Sequence, residues 1–248
     1  MIELWHEWNS VHSFKVRVVL EEKRIAWRSR YVELLKLDHL QPDYLKLNPA
    51  GVVPTLVHEG RVVTESSVIC QYLDETFLSP ALLAAEPLAR AQARAWLKYF
   101  DDEVHGPVRA ASFQLLYRPL LAALPREALQ ARLARHPDPR RARAFLEAAN
   151  GEADPAALAG ALEHFGRIIE RIEAAAERRA WLAGESFGLA DAAMAPFAER
   201  VEHLGLASLW DGAPHAKDWM QRTLDRPSVI AARAPAEHRL PRPQARAA

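Results

Sequence analysis

The chain has 248 residues, and its 32 Lys and Arg balance 32 Asp and Glu, so the formal charge is zero. No Lys/Arg stripe is interleaved with aromatic residues, so the electrostatic footprint of a nucleic-acid binder is missing and no nucleic-acid partner is expected. Half of the residues are hydrophobic, enough for a sizeable core divided between two packed units.

A single cysteine, Cys70, excludes an internal disulfide framework and any CxxC redox or zinc motif. That usage suits a reducing compartment, so the expected location is cytoplasmic. Met1 leads into Ile2–Trp5 without a basic and apolar leader pattern, and no apolar run approaches the roughly 18 residues of a membrane span. No membrane partner is expected.

In chain order, residues Ile2 to His6 predict a strand and Ser13 to Lys23 a helix, with Phe14, Val18 and Val19 at helical spacing. Ala26 to Val32 offers a second strand, followed by an irregular stretch through His39 and Pro42. Thr55–His58 and Arg61–Thr64 flank a Glu59-Gly60 turn and predict a hairpin. Ser66 to Phe77 then carries Val68, Ile69, Tyr72 and Leu73 at helical spacing. A βαβ unit followed by a ββα unit within residues 1–80 is the order of a thioredoxin-like α/β domain.

From Pro87 strand patterns give way to helical ones, notably Leu88–Val104, Ala156–Glu177 and Leu189–His203, so residues 87–233 predict an all-α second domain. Between Tyr117 and Pro155, Arg- and Pro-rich sequence predicts a partly mobile helical excursion. The Pro-rich tail, 234–248, is expected to be disordered unless the body captures it.

The most specific stretch runs Asn48-Pro49-Ala50-Gly51-Val52-Val53-Pro54-Thr55-Leu56, with Thr64-Glu65-Ser66-Ser67-Val68-Ile69 and Tyr72-Leu73 behind the hairpin. Here the chain resembles the glutathione transferase superfamily. The resemblance implies a cis Pro54 that frees the Val53 backbone to pair with the cysteinyl backbone of glutathione as an added strand. It also implies that Ser66 and the helix N-terminus receive the γ-glutamyl carboxylate while Glu65 meets the amine. On residue type alone, Glu65 and Ser66 read as helix caps, and their place behind the Asn48–Pro54 segment is what favours the binding role. For the glycine carboxylate the family pattern points to His39 or Gln41. The thiol-activating hydroxyl falls at Ser10 in one alignment of Trp8 to Arg17 and at Ser13 in another, and either also reads as a plain N-cap. His12 reads as a solvent-facing or core residue, and Cys70 as core. The Ser-Ser-Cys signature of the zeta class is absent, with Val11 and His12 in place of its last two residues.

Trp181–Asp191 resembles the family's structural signature at the start of a central helix, with Gly188 where Ser or Thr usually caps. Val62–Leu73 and the Arg140-Arg141-Ala142-Arg143 insert look most like the bacterial β-etherase branch. That likeness implies glutathione as co-substrate with no metal, attack of its thiolate on a hydrophobic aromatic electrophile such as a β-aryl ether, and a homodimer. Broad detoxifying transfer and a non-catalytic binding module are the alternatives. Candidate pocket residues are Trp8, Trp96, Tyr99, Phe100, Phe113 and Tyr117, each of which reads equally as core at helical spacing.

Overall fold

The structure is a computed structural model that describes residues 1–134, 136–150 and 154–243. Strand β1 (Ile2–His6) buries Ile2, Leu4 and His6 and leaves Glu3 and Trp5 half-covered, the period-2 alternation of a strand. Helix α1 (Val11–Glu22) differs from the usual amphipathic element, because every residue from Ser13 to Leu20 is buried. It is covered on both sides, by the sheet and by the helical domain. Strand β2 (Trp27–Tyr31) runs parallel to β1, and helix α2 (Pro42–Leu47) precedes β3 (Thr55–His58), which pairs antiparallel with β1. Strand β4 (Arg61–Val63) closes the sheet in the order β2-β1-β3-β4. The hairpin turn places Glu59 and Gly60 at φ 51° and 78°, the two positive values that match the right-handed twist of the strands. Helix α3 (Ser66–Thr76) completes the thioredoxin-like α/β domain.

The connection to the second domain is anchored by Asp74, whose carboxylate accepts the backbone N–H groups of Leu82 (2.8 Å) and Leu83 (3.0 Å) and the ammonium of Lys23. Helix α4 (Pro87–Tyr99) continues through a π-helical turn at 100–104 into α5 (His105–Ser112), and a second π turn at 113–117 leads into α6 (Arg118–Ala122). Helices α7 (Arg126–Leu133), α8 (Pro139–Ala149), α9 (Pro155–Ala176), α10 (Leu189–His203), α11 (Pro214–Leu224) and α12 (Pro227–Ala232) follow. Several prolines of the Pro-rich stretch therefore start helices rather than only ending them. Pro139 and Pro155 occupy first-turn positions behind the N-caps Asp138 and Asp154, where a missing N–H costs nothing. The excursion docks on the first domain, since Leu129 and Leu133 of α7 share a buried cluster with Leu37 and Leu40 of the irregular stretch before α2.

Through Leu240 the tail is captured by the body: Asn9 Nδ2 donates to the His238 carbonyl (2.9 Å), the Leu240 N–H returns to Asn9 Oδ1 (3.3 Å), and the His238 ring packs on Tyr31 and Trp8. The expectation for 244–248 lies outside the described residues.

At the start of α10, Asp191 accepts the N–H groups of Gly188 (3.0 Å), Leu182 (3.0 Å) and the Trp219 indole (2.8 Å). Glycine at 188 has a steric reason. A Cβ there would stand 2.7 Å from the Leu82 carbonyl oxygen, which accepts the Leu189 N–H at 3.0 Å. Gly188→Ala should therefore cost about 1–3 kcal/mol by overpacking. A lowered urea midpoint with unchanged native circular dichroism is the expected result, and an unshifted midpoint would refute the close approach.

Candidate functional site

A cavity of about 510 Å³ lies between the two domains. The sheet domain contributes Ser10 at the start of α1, His39, the Val53–Pro54 corner, and Glu65 and Ser66 at the start of α3. The Val53–Pro54 peptide is cis. Tyr44 and Asn48 both donate to the Val52 carbonyl (2.6 and 2.9 Å), pinning the residue before the corner. Among the described residues, no hydrogen bond engages the Val53 backbone.

Ser10 is the N-cap of α1. Its Oγ accepts the Ser13 N–H at 3.2 Å, so the hydroxyl proton is left to donate into the cavity. Ser13 does not line the cavity; it is fully buried, with its Oγ unpartnered. The loop carrying Ser10 is fixed from several sides. Arg17, fully buried on α1, donates to the carbonyls of Glu7 (3.1 Å), Trp8 (2.7 Å) and Ala232 (2.9 Å). Arg200, buried on α10, donates to the Asn9 carbonyl and to Ser112 Oγ.

Glu65 has φ 64° and caps α3 without a side-chain hydrogen bond, so its exposed carboxylate is unpaired among the described residues. Ser66 Oγ lies 2.9 Å from Nδ1 of His12, which is thus neither a simple core nor a simple solvent-facing residue but part of the cavity wall. The His12 ring packs 4.2 Å from that of His105.

His39 lines the cavity with its Nδ1 buried and unpartnered. Gln41 does not reach it; as the exposed residue before α2 it points elsewhere, because the extended backbone at 41 turns the chain into the helix. Burial, with the nearby His136 and Arg141, lowers His39 to about 4, and burial with Arg109 and Arg141 lowers His105 to about 4. Burial, then His105, Lys15 and Arg141, holds His12 well below its ordinary value, and burial with Arg141 lowers His136. The histidines of the cavity are therefore neutral at pH 7. Its fixed charges are Arg109, Arg141 and Arg200 against Glu65.

Of the aromatic candidates, Phe113 and Tyr117 line the cavity and the others do not. Trp96 and Tyr99 lie on the face of α4 turned toward α9, where the Arg171 guanidinium sits 5.0 and 3.9 Å from their ring centres. Phe100 is fully buried beneath His12 and the Lys15 ammonium, outside the cavity lining. Trp8 lines a narrow neighbouring crevice, with Arg17 4.7 Å from its ring and His238 stacked on it. Cys70 is buried on α3, and burial pushes its thiol up to about 12, as a core residue.

The sequence reading missed His105, Arg109, His136, Arg141, Phe145 and Arg200. Positions 105, 109, 113 and 117 recur every four residues, which marks one helix face, so that wall carried a readable signal. His136, Arg141 and Phe145 reach the cavity only because the α7–α8 excursion docks on the first domain.

Comparison with known proteins agrees with this arrangement. Residues 9–76 match the glutathione S-transferase N-terminal domain and residues 131–227 the C-terminal domain. Glutathione S-transferase 3 of Zea mays is 30% identical over 86% of this chain and 85% of its own length. Maleylacetoacetate isomerase of Pseudomonas aeruginosa is 38% identical over 47% of this chain, a stretch that spans 56% of that protein. The crystal structure of the β-etherase LigF from Sphingobium superposes with a TM-score of 0.85 at 25% identity, covering 93% of this chain and 98% of LigF. In direct sequence comparison the match to LigF covers 36% of its length at 39% identity. The paired domains, the cis-proline corner facing the helix starts, and the near full-length match to the maize protein together establish that this chain belongs to the glutathione S-transferase superfamily.

Proposed function

We propose that the cavity binds glutathione and activates its thiol for attack on a hydrophobic aromatic electrophile, with cleavage of a β-aryl ether as the specific reaction. The observation that carries the reading is convergence: the unpaired Val53 backbone, the start of α3 and the Ser10 hydroxyl face one cavity. The cysteinyl backbone of glutathione pairs with Val53. Its γ-glutamyl carboxylate meets Ser66 and the free N–H groups of the first turn of α3, where an anion is favoured. His12, donating from Nδ1 to Ser66 Oγ, leaves the serine proton for that carboxylate, and Glu65 takes the amine. His39, with a buried unpartnered Nδ1, takes the glycine carboxylate.

Ser10 donates its hydroxyl to the sulfur, and the α1 N-terminus adds its positive end, so the thiolate is favoured over the thiol. The thiolate attacks the carbon bearing the aryloxy group. A C–S bond forms, the C–O bond breaks with its electron pair going to oxygen, and the phenolate leaves to take a proton from water. The protein contributes orientation and thiolate stabilisation more than proton transfer. Similarity to LigF over nearly the whole fold supports the ether reading. Similarity to the maize transferase supports the broader alternative of general conjugation.

Ser10→Ala should raise the pKa of bound glutathione by about one unit and lower kcat/KM by about a hundredfold. Unchanged thiol titration and turnover would remove Ser10 from the mechanism and leave the backbone N–H groups of α1 as donors.

Glutathione binding should depend on pH through His39. The free imidazole, lowered to about 4, is neutral at pH 7, and an adjacent carboxylate raises its pKa. Binding then takes up a proton between the two values, so affinity strengthens as pH falls and levels off below about 4. Calorimetry with S-methylglutathione, which has no titrating thiol, should show this slope in the native chain. In His39→Asn the slope should vanish and the affinity should fall about tenfold. An identical slope in the variant would reassign the glycine carboxylate.

Phenol release from a β-aryl ether ketone, with and without glutathione, tests the reaction itself. Glutathione-dependent release is expected. Glutathione binding without release would replace the ether with another electrophile.

A further inference from the structure

Glutathione placed as above leaves the α5 wall of the cavity with a cation it does not use. Arg109 is half-buried, and its guanidinium carbon lies 4.7 Å from the centre of the Phe113 ring. Among the described residues it has no carboxylate partner. The charges that act on it are Arg141, which repels it, and Asp138, which attracts it. Asp138 is already engaged: its carboxylate lies 3.6 Å from Arg141 Nε and caps α8 by accepting the N–H groups of Arg140 (2.9 Å) and Arg141 (3.4 Å). Two guanidinium groups thus share one occupied carboxylate at the cavity edge. The neutral histidines add no charge that a bound anion could neutralise.

Beside this cation stands a cluster of aromatic rings inclined to one another. Phe113 meets Phe145 edge-on at 5.4 Å and Tyr117 at 5.5 Å, and burial pushes the Tyr117 phenol up to about 12, so its hydroxyl stays protonated. A half-buried guanidinium whose neighbouring carboxylate is already engaged by another arginine is poorly compensated, and an arginine matches a carboxylate with two parallel N–H donors. We infer that Arg109 receives a carboxylate of the second substrate, so that the electrophile is an aromatic acid with its ring against Phe113, Phe145 and Tyr117. This rests on the glutathione reading only in assigning glutathione's own carboxylates elsewhere.

The test uses the full chain and two inert probes of equal shape, 4-methoxybenzoate and 4-methoxybenzamide, with binding followed calorimetrically in the absence and presence of glutathione. The acid should bind about tenfold or more tightly than the amide. Arg109→Gln should bring the ratio close to one and leave glutathione affinity unchanged, and Arg109→Lys should recover part of the preference. Equal binding of acid and amide to the native chain would overturn the inference without requiring any variant to fold. A ratio that survives Arg109→Gln while glutathione affinity falls would also overturn it, assigning Arg109 to glutathione's own carboxylate. If the native chain prefers the acid, loses that preference in Arg109→Gln and binds no glutathione, Arg109 is an aromatic-carboxylate site outside a transferase, and its assignment to the electrophile falls with the transferase reading.

Discussion

The site depends on how the loop between β1 and α1 is held. Arg17 projects from a helix buried on both sides and donates to the carbonyls of Glu7 and Trp8, just before Ser10, and to that of Ala232 near the end of α12. Arg200 reaches the same loop from the helical domain through the Asn9 carbonyl, and the tail closes on the Asn9 side chain. Carbonyls in a partly buried loop must find donors or pay their desolvation, and here the donors come from both domains. The position of the Ser10 hydroxyl is therefore a property of the domain interface rather than of the sheet domain alone.

That interface also sets the electrostatics of the cavity. Histidines are commonly read as the groups that titrate near neutrality, but these are lowered by burial and by the surrounding arginines. They act as neutral hydrogen-bonding groups, while the arginines supply charge. The two π-helical turns bracket α5, the helix that carries His105 and Arg109, and such turns are frequent at functional sites. The wall they frame runs on through Phe113 and Tyr117.

Order and type of the elements were legible in the chain because their signals are local. The alternation in Ile2–His6, the Glu59-Gly60 turn and the span Leu189–His203 need only near neighbours. Gly188 illustrates the limit. Sequence alone makes it a weakened cap, whereas the carbonyl of Leu82, more than a hundred residues earlier, is the reason a side chain does not fit. The tail is similar: its composition favours disorder, yet single contacts from His238 and Leu240 to the first domain hold it.

By itself the sequence determined the thioredoxin-like and helical halves, the turn-rich segment ending in Val53-Pro54, and the pair Glu65 and Ser66 at an element boundary with a local signature, while it left Ser10 beside Ser13 and His39 beside Gln41. That Ser10 rather than Ser13, and His39 rather than Gln41, lines the cavity came from the tertiary structure, because one turn of helix or two residues of loop decide which side chain faces inward. The aromatic wall was decided there too. Trp96, Tyr99 and Phe100 have the right chemistry but occupy other faces, while Phe145 and Arg141 are delivered by docking the α7–α8 excursion, an apolar contact between segments about ninety residues apart that periodicity along a chain cannot encode.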